Sequence, residues 1–457
     1  MKNLLLLLLF SCCGCIAHAQ QFSFKLTTKD FAETDIVYLQ KYHGRDELVI
    51  DSVKGNRSAT ITINTTYGIE GLYFLSAGRN ASAEFILNST EKINIEVSKG
   101  GLENGRLGIS GSNENEAYEK FVTRYLAYDS AFYRTATIKV DEFDALLITR
   151  LKKKTNDMLA IEQGFISSVD ALERQYPGTY TVKVLGPLAA HTAWSSNAGY
   201  DNYPAFLFHH FWDKASFAYP SVLNHFLLNE QLKNYFRYFV PKNQDSIKVA
   251  IDLVLSKTAA SPDVNAHVNS FLLRNFLKSN AEELVLYVNS KNTTEACGLN
   301  LSPTEMKKFE ALKSLSVGAT VPDAFLNNLE SNKVSLKTTA AAHKVTVVLF
   351  WASHCGKCRA ELPYLKELYQ KYKAQGLEVY AINIDENKFN WREAVQEFGL
   401  TWINVTDEGR LKDSKLLAQF NIQHTPSLFV IDAKGAIVDK EVYGTTLGNK
   451  LAELLGK

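Results

Sequence analysis

Cys355 and Cys358 stand three residues apart in the stretch Trp351-Ala352-Ser353-His354-Cys355-Gly356-Lys357-Cys358-Arg359. Two thiols at this spacing can pass between dithiol and disulfide, the chemistry of thiol–disulfide exchange. An apolar, strand-like run, Val345 to Phe350, leads into them, and an amphipathic segment, Arg359 to Tyr372, leads away. A strand–CxxC–helix order puts the first sulfur where free helix N–H groups converge. Those groups and the helix dipole favour a thiolate over a thiol. Cys355 is therefore the expected nucleophile, exposed at the helix start. Cys358, one turn further in, is expected to be buried and to resolve the mixed disulfide.

The first twenty residues bear on how the other cysteines are counted. Lys2, the apolar core Leu4 to Phe10 and the small-residue pattern Ala17-His18-Ala19 read as a signal peptide cleaved after Ala19. A lipoprotein signal is the alternative, because Leu9-Phe10-Ser11-Cys12 loosely resembles a lipobox; a retained anchor is the third. Each reading exports the protein. The leader then removes Cys12, Cys13 and Cys15 and leaves Cys297, Cys355 and Cys358, too few for a disulfide framework. Zinc would need about four ligands, and no second cysteine pair remains. A c-type haem site would need His after the second cysteine, where Arg359 stands. A purely structural disulfide across CxxC would close too small a loop to stabilise much. Cys297 is expected to be a buried inert thiol, with exchange partnership to Cys355 as the alternative.

At 457 residues the chain should hold two or three domains. A net charge of +1 gives no reason to invoke nucleic acid or an anionic membrane surface. No run beyond the leader reaches the roughly 18 apolar residues of a spanning helix. Residues 20–110 read as all-β: Phe22, Phe24 and Leu26 alternate with polar residues, and further short runs follow to Ile93-Asn94-Ile95. Gly100, Gly101, Gly105, Gly108 and Gly111 then mark a boundary. Residues 113–315 read as mostly helical, with stripes at Tyr118, Phe121, Val122, Tyr125, Leu126 and at Leu228, Leu232, Tyr235, Phe236, Phe239. Ser302-Pro303-Thr304-Glu305 has the form of a capping box. Ser316 to Asp323 reads as a linker. In residues 317–457 strand and helix patterns alternate, which implies a mixed α/β sheet covered on both faces.

This last region, from Val317 on, resembles the thioredoxin fold, specifically the exported TlpA/ResA-like thiol–disulfide oxidoreductases. The resemblance is carried by the block Trp351 to Pro363, by His424-Thr425-Pro426-Ser427 and by the hairpin Phe429 to Val438. It implies a cis peptide at Thr425-Pro426, whose backbone pairs with an extended substrate in β fashion; a trans Pro starting a strand is the alternative. It implies that Trp351 packs beside the sulfurs or borders the docking groove; a plain core aromatic is the alternative. Trp351, Thr425 and Pro426 are thus the expected substrate-binding residues. Glu361, three residues after Cys358 on the same helical face, can accept the proton of a buried thiol; family members often carry Glu here. Leu349 stands where other thioredoxins place a buried acid. Lys357 either lowers the Cys355 pKa further or is a solvated charge. His354 and His424 can tune local charge or simply face solvent, and Pro363 should kink the helix.

The resemblance implies disulfide-containing protein substrates, a membrane electron donor, and residence in the periplasm or cell envelope of a Gram-negative bacterium. No organic or metal cofactor is expected. Gly356-Lys357 lacks the His found in strong oxidases, which favours the reductant direction. A thiol peroxidase on the same fold would need Thr where Ala352 stands. A third possibility makes the N-terminal 300 residues a binding or dimerisation platform, with redox work secondary. His209-His210 with Trp212 reads as ordinary packing, and Lys152-Lys153-Lys154 as a solvated helix face.

Overall fold

The alternation Phe24-Lys25-Leu26 becomes one strand, Gln20–Lys29, with Phe24 and Leu26 buried and Lys25 exposed. The computed structural model describes residues 20–65, 69–78, 81–137, 147–192, 194, 199–291, 301–407 and 414–456. The expected signal segment, with its three cysteines, and Cys297 lie outside the described residues. Element types divide the chain into three, β then α then α/β. Contacts divide it into two units, residues 1–272 with 292–300, and residues 273–291 with 301–457.

The first unit begins with two four-stranded sheets. One runs Ser58–Thr65, Gln20–Lys29, Asn94–Ser98, Gly108–Ser110; the other runs Asp46–Lys54, Ile36–His43, Gly71–Ser76, Ser82–Leu87. Inward residues of both sheets, such as Leu26, Ile63, Ile95, Leu39 and Phe85, share one core. The helix Asn113–Ala136 follows, its N-terminus capped by the Ser112 hydroxyl on Asn115 N–H at 3.0 Å. Its buried stripe is Tyr118, Phe121, Tyr125, Tyr128 and Phe132. Leu126, expected in that stripe, is 62% exposed, because the buried line follows a 3-4-3-4 spacing that passes it by. Glu114, in the first turn, is fully buried. Its carboxylate accepts from Tyr180 N–H (2.7 Å), Thr181 N–H (2.9 Å), the Thr181 hydroxyl (2.6 Å) and the Asn88 amide (3.1 Å).

The second unit is built on a seven-stranded sheet. Its order is Lys333–Ser335, Phe325–Asn328, Ile403–Thr406, Leu377–Asn383, Val345–Trp351, Ser427–Asp432, Ile437–Lys440. The expected strands at 345, 377, 427 and 436 are present. The strands at 325, 333 and 403 escape sequence reading, since runs such as Phe-Leu-Asn-Asn are too short and mixed to show a period. Val345–Trp351 is buried at every position and lies between a parallel and an antiparallel neighbour. Its odd residues, Val347, Leu349 and Trp351, join one core with the helices Gly356–Tyr372 and Gly444–Leu455. Its even residues, Val348 and Phe350, join another with Leu336–Ala342 and Lys415–Gln419. Helices therefore cover both faces, as a continuous apolar strand requires. The stretch read as a linker is pinned to this sheet instead. Gly318 N–H donates to Ile437 O (2.7 Å), Ile437 N–H to Ala319 O (2.8 Å) and Val321 N–H to Gly435 O (2.9 Å). Val321 is 1% exposed, so its burial makes the segment part of the fold.

Candidate active site

The central strand Val345–Trp351 delivers at its carboxyl end a turn, Ala352 to His354, into the helix Gly356–Tyr372. Cys355 is the N-cap of that helix, and its sulfur accepts the Cys358 N–H at 3.3 Å. The Cys355 thiol in turn lies 3.3 Å from the carbonyl oxygen of Thr425 and donates to it. Both cysteines are free thiols. Cys355 is partly exposed and Cys358 is 1% exposed.

These surroundings split the two thiols. Burial alone would raise the Cys355 pKa; hydrogen bonds from the side chains of Cys358 and Thr425 and from the N–H groups of Cys358 and Lys357 outweigh it, and the pKa falls below the ordinary thiol value. Burial, reinforced by the Cys355 sulfur, pushes Cys358 up to about 12. The Lys357 side chain is exposed, and the main-chain N–H is what this residue supplies to the sulfur.

The Thr425-Pro426 peptide is cis, with Thr425 partly exposed and Pro426 buried. A cleft of about 300 Å³ opens beside it, lined by Lys357, Glu361, His424, Thr425, Pro426 and Tyr443. Glu361 Oε1 accepts the Gly444 N–H at 2.9 Å, so the carboxylate sits at the start of the helix Gly444–Leu455, where the dipole favours negative charge. Of its expected placements Trp351 takes the one in the core beside the sulfurs and not the one bordering the docking groove, so it is not a substrate-binding residue. It is 0% exposed, inside the core that holds Cys358, because strand register turns its ring inward. Leu349 is 1% exposed in that core. The helix runs on through Pro363 to Tyr372.

Three residues escape sequence reading. Asp385, 3% exposed, accepts the Ser353 N–H on both oxygens at 3.0 Å and the Asn383 amide at 2.9 Å, and so anchors the turn ahead of Cys355. His354, 76% exposed, turns its Nδ1 to Asp385 Oδ1 at 3.2 Å. Asp385 follows the carboxyl end of a parallel strand, the edge where α/β sites gather, and that position was its one available signal. Arg359 donates to Ser353 O at 3.3 Å, pairs with Glu397 at 2.5 Å and lies 4.8 Å from the Phe398 ring centroid. The Tyr443 hydroxyl lies 2.9 Å from Pro426 O and 2.5 Å from Glu441 Oε2; burial first, then Glu441, Glu361 and Cys358, raise its pKa. No local pattern marks Tyr443.

In the first unit His209 and His210 take no part in a metal cluster, and none exists among the described residues. His210 Nδ1 pairs with Asp213 at 2.7 Å. No described helix is long and apolar enough to cross a membrane.

Comparisons with known proteins fall on this second unit. Residues 316–454 match the Redoxin family. The thiol-disulfide oxidoreductase ResA of Geobacillus thermodenitrificans is 34% identical over 137 residues, 30% of this chain and 75% of that protein. The ResA of Bacillus subtilis is 28% identical over 137 residues, 30% of this chain and 73% of that protein. Among solved structures, the thioredoxin domain of a thiol-disulfide oxidoreductase from Bacteroides vulgatus is 31% identical, covers 31% of this chain and 99% of its own, and aligns with a TM-score of 0.29.

Proposed function

We propose, for a chain that belongs through its C-terminal domain to the ResA family of thiol-disulfide oxidoreductases, that it works as a reductant of protein disulfides outside the cytoplasm. Its thiol–disulfide oxidoreductase chemistry runs through a Redoxin domain of thioredoxin-like fold. The Cys355 thiolate attacks one sulfur of a substrate disulfide. A Cys355–substrate mixed disulfide forms, and the other substrate sulfur leaves as a thiolate that takes up a proton. Cys358 then loses its proton and attacks Cys355 Sγ. The Cys355–Cys358 disulfide forms, the second substrate thiol departs, and two electrons have passed to the substrate.

The observation that carries this reading is the contrast between the two thiols. One is partly exposed, hydrogen-bonded and shifted towards thiolate; the other is 1% exposed and pushed up to about 12. A pKa that high calls for a base at the resolving step, and Glu361, three residues on from Cys358 and lining the cleft beside Pro426, is assigned that role. Thr425 and Pro426 offer the backbone against which an extended substrate pairs. The pair Cys355–Cys358 suffices without a metal or organic cofactor. An upstream thiol donor in the membrane would return the pair to the dithiol.

The leader-like residues 1–19 support export to the periplasm or cell envelope, with lipid anchoring at Cys12 as a variant of it. The ResA relatives named above come from Geobacillus and Bacillus, and the solved structure named with them from Bacteroides vulgatus. The test is reduction of insulin disulfides by the full chain with a thiol donor. Activity is expected for the wild type and lost in Cys355→Ser. Cys358→Ser should hold its substrates as stable covalent adducts. Insulin reduction that survives Cys355→Ser defeats the reading.

A further inference from the structure

We propose that two helices ahead of the thioredoxin-like domain, Glu282–Lys291 and Pro303–Ser314, extend its substrate groove and take the stretch of extended polypeptide next to the target disulfide. The proposal rests on the reading of Cys355 as a nucleophile towards protein disulfides.

A cavity of about 730 Å³ lies between Pro303–Ser314 and the side of the domain that carries His424. Lys307, Ala311 and Leu312 line it from the helix; Phe420, Ile422 and His424 line it from the domain. His424 also lines the smaller cleft beside Thr425 and Pro426. The two hollows therefore meet at His424, and the smaller one holds Thr425, whose carbonyl oxygen is 3.3 Å from the Cys355 sulfur.

The helical wall is built into the domain. Lys440 Nζ donates to Leu315 O at 2.7 Å and pairs with Glu282. Lys308 Nζ donates to Asn280 Oδ1 at 2.7 Å and to Leu277 O. Leu315, just past the second helix, is 2% exposed in the same core as Phe350 and Phe429. The groove is thus present before any substrate arrives, which lowers the ordering cost of binding.

The lining selects the occupant. Ala311, Ala418 and Ile422 offer apolar surface over the buried Leu312 and Phe420, while Lys307 and His424 stand at polar positions. An extended strand advances about 3.3 Å per residue and alternates its side chains. A segment that pairs with Thr425 and runs on past His424 would place alternate apolar side chains against the floor. A small disulfide that reaches Cys355 would not touch this surface.

The test compares two disulfides on the full-length protein. One is a synthetic peptide with apolar residues on both sides of one cysteine, held as its mixed disulfide with thionitrobenzoate. The other is hydroxyethyl disulfide. Ala311→Trp and Ala418→Trp each put an indole into the groove, from opposite walls. The ratio of peptide rate to small-disulfide rate should fall about tenfold in both variants. A ratio within about twofold of wild type in either variant overturns the proposal, whether both rates hold or both fall together. A groove that joins two copies instead would show as a wild-type dimer that Ala311→Trp turns into monomer, and this too overturns it. If the wild type reacts with neither disulfide through Cys355, the underlying redox reading has failed, which is a separate result.

Discussion

The Cys355 thiol and the Thr425 carbonyl oxygen, 70 positions apart in sequence, meet at 3.3 Å. One closes a strand–helix turn; the other precedes the cis-Pro426 at the start of the neighbouring antiparallel strand. A sulfur held there faces the backbone along which a substrate segment would lie. Attack and docking are thereby placed at one point.

The two thiol pKa values predict two separate alkylation profiles. Thiolate is the reactive form, so a depressed pKa means faster reaction at neutral pH. The rate at Cys355 should titrate with a midpoint below that of free cysteine, and Cys358 should resist iodoacetamide until far into base, near its value of about 12. The linked effect on stability has opposite signs. The stabilising contribution of Cys355 is present above the ordinary thiol pKa and lost as pH falls through its folded value. That of Cys358 is present below the ordinary value and lost as pH rises towards 12. Mass-resolved alkylation against pH checks the first statement; a single shared midpoint contradicts it.

Glu361→Gln should slow the resolving step and leave the attacking thiol alone. General-base assistance is worth about 10²–10⁴-fold, so insulin reduction should fall by at least about 10² while the Cys355 alkylation midpoint stays put. Mixed disulfide should accumulate on Cys355. A shifted midpoint with no accumulation would give Glu361 a different job, at the helix start where it meets Gly444.

Asp385→Ala should loosen the turn ahead of Cys355. It strips the Ser353 N–H of its acceptor and leaves it in a buried position. The cost of such an orphaned donor is about 1–3 kcal/mol, to be read by chemical denaturation of the reduced protein. An unchanged midpoint would mean the anchor is dispensable.

Glu114→Ala tests the first unit independently of the redox pair. Four donors would lose their acceptor at once in a buried site. Destabilisation of about 3 kcal/mol or more is expected, with hydroxyethyl disulfide still reduced at the wild-type rate. Circular dichroism during urea unfolding reports the first quantity. A shift too small to resolve would show that water can replace the carboxylate.

Composition and spacing along the chain were enough to find the redox pair and its order of action. Val345 to Phe350 is a continuous apolar run, and a buried strand is what such a run must become. Cys355 follows it and opens a helix, so local geometry alone assigns its sulfur to the N-cap. The Thr425-Pro426 loop was legible by resemblance. Other features depend on residues that no local period connects. Asp385 meets Ser353, Tyr443 meets Pro426, and Lys440 meets Leu315 only because strands distant in sequence lie side by side. Position along the chain left Trp351 open between the docking groove and the core, and strand register, which sends successive side chains to opposite faces, put it in the core with Leu349 and Cys358. Sequence by itself thus determined which atoms can react, because nucleophile and helix start are neighbours along the chain. Tertiary structure alone decided what surrounds them, because burial and long-range hydrogen bonds exist only once the sheet is assembled.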